Sequence, residues 1–191
     1  MLSDLGEKTK NTLISAISGA TDVVATVRDN TKKLVIDTIK SAGEVTATSL
    51  TSVADVASGT IAAVVQSGKS VTEGASEIVE SAIEAVSEIG GDTTEATREA
   101  AVGIIKGTTE VGGDIGEAAV AAVRGAINAA GKIGVDSEKV ATDAVVGLIQ
   151  AADQIGSEAG STVRKALLNS AALPRQIIEA AISGKAEPGK N

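Results

Sequence analysis

The chain has 191 residues, a net charge of −8, and no Phe, Trp, Tyr, Cys or His. Without His and Cys, soft metal sites, thiol nucleophiles and the usual general base near neutral pH are excluded. Carboxylates, Lys and Ser remain but form no nucleophile–base constellation, so the sequence predicts a non-enzymatic protein with no catalytic, metal or cofactor-binding residues and no small-molecule substrate.

Charge is unevenly spread. Residues 44–117 carry three basic groups (Lys69, Arg98, Lys106) against thirteen acidic ones, a net of −10. That argues against a nucleic-acid partner, which needs a basic face for phosphates, and against strong attraction of this segment to an anionic membrane. Cores usually draw buried area from aromatics. Here Ala, Val and Ile must supply it, which predicts marginal stability for an isolated monomer and a need for neighbours or a surface.

In chain order, Met1–Lys10 is polar where the apolar stretch of a signal peptide would follow. No window approaches about 18 uninterrupted apolar residues, so no bilayer-spanning helix is expected. The expected location is cytoplasmic, peripheral to a membrane or lipid body. Residues 1–26 read as a divergent N-terminal repeat region. Arg28, Lys32, Lys33 and Lys40 form an early basic cluster that could touch anionic headgroups, although solubilising charge is the plainer explanation.

Residues 27–158 read as the core of a tandem array. Ile17, Ile39, Ile61, Ile83, Ile105, Ile127 and Ile149 recur at a spacing of 22. Gly68, Gly90, Gly112, Gly134 and Gly156 keep the same step, as do Gly59, Gly103, Gly125 and Gly147. Within residues 71–92 the apolar positions advance by 4, 3, 4, 4 and 3, two hendecads of about 3.67 residues per turn. The resulting lipid- or partner-facing stripe comprises the seven isoleucines above with Ile78, Val86, Ile89, Val111, Ile133 and Ile155. The fold class expected is all-α: amphipathic helical repeats, extended on a surface or in a bundle, or folded back into an antiparallel array. A parallel β-solenoid with a 22-residue coil is the minority alternative.

Gly90-Gly91-Asp92 reads as a helix stop followed by a start, with Gly in the left-handed region and Asp as N-cap. The capping-box spacing recurs as Ser70…Glu73, Asp92…Glu95 and Asp114…Glu117. Gly68, Gly90, Gly91, Gly112, Gly113, Gly134 and Gly156 are therefore either hinges or points of close helix–helix approach, and both readings stay open. Gly107-Thr108-Thr109 and Gly90-Gly91-Asp92 lack the spacing of a phosphate loop. The carboxylate line Glu73, Glu77, Glu80, Glu84 and Glu88 could bind divalent cations, but a solvated face is the usual meaning of such a run. Residues 159–183 form a divergent, more apolar unit. Pro174 should kink or end a helix there, and Leu167, Leu168, Leu173, Ile177 and Ile178 read as a capping or docking segment. Residues 184–191 read as a disordered tail.

The chain resembles the 11-residue amphipathic repeat proteins: synucleins, perilipins, exchangeable apolipoproteins and group 3 late-embryogenesis-abundant proteins. Glu7-Lys8-Thr9-Lys10 is similar to the synuclein repeat core, and Ala101-Val102-Gly103-Ile104-Ile105-Lys106-Gly107-Thr108-Thr109 is similar in texture to perilipin repeats. The resemblance is one of period and composition across nearly the whole chain, and it implies lipid-surface binding or stress protection by helices that order on contact. Three functions follow: a coat on a membrane, lipid droplet or storage granule; an oligomeric scaffold forming a bundle, stalk or filament, alone or in a membrane-associated complex; and a stress protectant. The partners expected are a lipid surface, further copies of the chain, or both.

Overall fold

The computed structural model describes residues 1–184, and these fold into nine α-helices: α1 (Asp4–Ser18), α2 (Val23–Ser41), α3 (Ala47–Gln66), α4 (Val71–Glu88), α5 (Thr93–Glu110), α6 (Ile115–Ile133), α7 (Ser137–Ile155), α8 (Ser157–Asn169) and α9 (Arg175–Ile182). There is no strand among the described residues, which removes the β-solenoid alternative. An N-cap side chain at the start of each of the first seven helices explains the phasing. Ser3, Asp22, Thr46, Ser70, Asp92, Asp114 and Asp136 each accept a backbone N–H of the first turn, satisfying donors that the helix itself leaves open. The caps from Ser70 to Asp136 follow one another at intervals of 22 residues.

The stops are equally regular. Gly68, Gly90, Gly112 and Gly134 have φ between 66 and 75°, the left-handed region. At the first three, the glycine N–H bonds the carbonyl three residues back and the next N–H reaches five back, as in Gly90→Ser87 and Gly91→Val86. This is the Schellman closure. Gly91 and Gly113 are the residues that fold back over the helix end: a Cβ on Gly91 would lie 2.6 Å from Val86 Cγ1, and one on Gly113 2.9 Å from Thr108 Cγ2. Gly156 differs, being extended at φ 159°, ψ 164° and joining α7 to α8 without a side-chain cap.

Because the turns are short, consecutive helices run antiparallel and each helix runs parallel to the next but one. Every helix packs only on its first and second neighbours in sequence. The odd-numbered helices form one layer and the even-numbered helices the other, with the core between them. Such a quasi-one-dimensional array is an α-solenoid in its contact pattern. The surface-laid extended helix considered above is not the form the chain takes here.

The closest approaches lie within each layer. A Cβ on Gly125 of α6 would meet the Ser76 backbone of α4, at 2.9 Å from its carbonyl carbon. Gly103 and Gly107 of α5 meet Ala54 and Ser58 of α3 in the same way, and Gly147 of α7 meets Arg98 of α5. All four pairs are 49 residues apart. Two repeats span 44 residues, so parallel neighbours are staggered by five, about 7.5 Å at 1.5 Å per residue. The close-packing glycines are therefore a different set from the hinge glycines.

Helix α3 sits in the odd layer between α1 and α5. It is long and apolar enough, by length and composition, to cross a membrane, with a mean hydropathy of 1.3 over its most apolar window. The sequence expectation had no such helix. Here 72% of that window is buried inside the protein, which accounts for its composition.

Candidate functional site

The apolar stripe faces inward. Ile17, Ile39, Ile61, Ile78, Ile83, Val86, Ile105 and Ile149 are buried, while Ile89, Ile127 and Ile133 are half-buried against the same core and Val111 is half-buried at the end of α5. Only Ile155, 44% exposed, lies open. In the C-terminal segment Leu167, Leu173 and Ile178 are buried, and Leu168 and Ile177 pack half-buried beside them. Pro174 ends the break between α8 and α9 and sits at the N-cap of α9. The tail at 185–191 lies outside the described residues.

What the fold leaves outside is charge, and its most organised part crosses the even layer. The 4-3-4-4 spacing of Glu73, Glu77, Glu80, Glu84 and Glu88 places them along one side of α4, between α2 and α6. Lys132 of α6 bonds Glu80 and also lies 3.2 Å from Glu84. Lys32 of α2 lies 4.0 Å from Glu84 and 2.5 Å from Glu88. The result is a chain of alternating charges, Glu80–Lys132–Glu84–Lys32–Glu88, that ties three parallel helices together. The two glutamates' hold on the ammonium raises the Lys132 pKa.

This corrects the reading of the line as a solvated face at Glu80, while Glu73 and Glu88 are exposed. The Glu80 side chain is only 6% exposed, and among the described residues no three carboxylates assemble as a cation site. Glu73 and Glu77 are the members left out, and the Oε2 of Glu77 is buried without a hydrogen-bond partner. Burial first, and then the neighbouring Glu80, push the Glu77 carboxyl above the ordinary glutamate value, against the opposing pull of Arg28 and Lys132. Of the early basic cluster, Lys32 is engaged in the charge chain, while Lys33 and Lys40 are exposed.

The odd layer carries a second constellation. Arg98 of α5 donates from Nε and Nη2 to Asp143 Oδ1 of α7, at 3.1 and 2.8 Å. Lys139 Nζ stands 3.4 Å from Asp143 Oδ2 and also bonds Thr94. Asp143 is itself 5% exposed. Farther along, Arg164 of α8 grips Asp153 of α7 with two parallel bonds of 2.7 and 2.6 Å, and that guanidinium holds the Asp153 carboxyl below its usual range.

An open groove of about 620 Å³ lies beside the α5–α6 and α7–α8 turns, lined by Asp114, Ile115, Ile155, Ser157 and Glu158 among others. Its side chains bring together no nucleophile with a base. Gly107-Thr108-Thr109 lies inside α5, with Gly107 and Thr108 buried, so it is helix packing and not a loop. No protein-family model matches the chain, and no curated protein matches it.

Proposed function

We propose that this protein is a non-enzymatic structural scaffold: a helical array, folded before it meets any partner, that assembles with copies of itself through its charged sides. One observation carries this reading. The amphipathic faces of the helices are turned on one another, so that apart from Met1 only Val45, Val135 and Ile155 are large, apolar and exposed among the described residues. A protein whose adhesive stripe is consumed internally has little to offer a hydrocarbon surface while folded. Ion networks within a layer, such as that on α4, add geometric specificity at a surface where they add little stability.

A second reading follows from the hinges. The same helices, joined at left-handed glycines, would offer a lipid surface a continuous stripe if the array opened. Helix α9 is the place to start, since it packs only on α7 and α8. One experiment separates these readings: circular dichroism and sedimentation of the full chain, each with and without neutral and anionic vesicles. The scaffold is helical in buffer, melts cooperatively and forms larger species as concentration rises, with no change on adding vesicles. A purely monomeric profile at all concentrations refutes it. Helicity unchanged by lipid, with no protein floating with vesicles, refutes the coat. A chain largely unfolded in buffer and helical only on drying is the stress protectant instead.

A further inference from the structure

Helix α2 ends the even layer, with α4 on one side and no parallel helix on the other. Before Ser41, its only exposed residues are Asp29, Lys33, Asp37 and Lys40. At about 100° per residue these four lie within about 80° of one another, opposite the buried Val27, Thr31, Val35 and Ile39. Their signs alternate along the helix, and none of the four is ion-paired among the described residues. No other described helix carries more than two exposed charges without an ion-pair partner. A solvated face is the usual meaning of a charge run, but a solvated face needs no order of signs. This one, read backwards, is the same series with every sign inverted. Such a face is its own complement.

We propose that this stripe is a docking face on which a second copy of the chain seats with its own α2 antiparallel; the proposal rests on the scaffold reading and names one of its contacts. In that register Lys33 of each copy meets Asp37 of the other, and Asp29 meets Lys40 to within one residue's rise, about 1.5 Å. The interface is isologous, each pair occurring twice, so it closes at a dimer. Lys32 reaches Glu84 and Glu88 on α4. Leu34, about 200° round the helix from Lys32, is half-buried on the free edge. An approach tilted towards that edge adds Leu34 to the contact and keeps the α4 carboxylates of the two copies apart. An anionic surface fits the stripe less well, because its two lysines are offset by two aspartates. The pairs are exposed, so they supply register and orientation more than strength, and the contact is weak and salt-sensitive.

The test is sedimentation equilibrium of the full chain over a concentration series, at low salt and at about 1 M salt, where the screening length falls to about 3 Å. Dimers are expected at low salt and should dissociate as salt rises. Lys33→Asp and Asp37→Lys each set like charges against one another at two symmetry-related places, and each should weaken association at least about tenfold. Mixed in equal amounts, the two variants should regain the parent's strength, because positions 33 and 37 then oppose each other with unlike signs. Both positions are exposed, so each variant should melt as the parent does. A parent that stays monomeric overturns both this contact and the scaffold reading. Association untouched by either substitution, or a mixture no stronger than its components, overturns the contact and leaves the scaffold reading in place. Parent chain that floats with anionic vesicles and is released by Lys33→Asp assigns the face to lipid and overturns the proposal.

Discussion

Gly125→Ala tests the claim that glycine sets the spacing of parallel helices. A Cβ at this position would stand 2.9 Å from the Ser76 carbonyl carbon and 3.0 Å from its Cα. Ordinary contact begins at 3.4 Å, so α6 must move at least 0.5 Å from α4, and more to clear the carbonyl oxygen. The atoms met are backbone, which cannot rotate aside. Overpacking of this kind costs about 1–3 kcal/mol, while alanine returns about 0.8–1 kcal/mol as the better helix former. The net expectation is a loss of about 0–2 kcal/mol, a fall in Tm of up to about 8 °C for a chain of this size. Gly131→Ala, on the same helix, is the control: a Cβ there meets nothing within 4 Å, and stability should rise by about 0.5–1 kcal/mol. Thermal melts of the two variants beside the parent decide the matter. If Gly125→Ala is as stable as Gly131→Ala, the glycines at the seams do not set helix spacing.

Gly112→Ala places a side chain at φ 69° in the turn between α5 and α6 and should lose about 1 kcal/mol in urea unfolding. Lys132→Met leaves the buried Glu80 without its ammonium; because Lys132 is half exposed, the expected loss is about 1–2 kcal/mol, partly recovered in the double variant with Glu80→Gln, as a double-mutant cycle would report. Glu77→Gln should raise the urea midpoint at neutral pH and have no effect well below the ordinary glutamate value. The Glu77 carboxyl is raised in the fold, so its ionisation opposes folding only above that range.

The sequence pattern carried the helix boundaries further than the packing. Ser70, Asp92, Asp114 and Asp136 mark starts, and Gly68, Gly90, Gly112 and Gly134 mark stops, because capping is local and depends on a few consecutive residues. The helical spacing of apolar residues likewise identified which residues are apolar together. It could not identify what covers them, since periodicity describes one face and not its neighbour. The charge chain through Lys32, Glu84 and Lys132 was invisible for a related reason. It joins residues 48 to 56 apart, and only the 49-residue offset between parallel helices brings them together; the two-repeat length of 44 would have paired others. Gly103, Gly125 and Gly147 were legible as members of a periodic set, but their role depends on that same offset.

The small-residue composition and the two-layer packing account for one another. Without aromatic rings, a helix pair held at ordinary distance by Ala and Val would leave gaps, and an atom facing a gap loses its dispersion partners. Glycine at the seam removes the gap from the other side by letting backbone meet backbone, so carbonyls and Cα atoms of the neighbouring helix take the place that rings fill elsewhere. Such cohesion is shared among many seams and concentrated in none. It also stays local, since no helix touches beyond its second neighbour. A methyl group added at Gly125 should therefore loosen amide protection in α4 and α6 first, while the α1–α3 seam, closed separately by Gly59 against Gly6 and Thr9, keeps its protection. Equal loss of protection in both seams would mean that the array opens as one cooperative body.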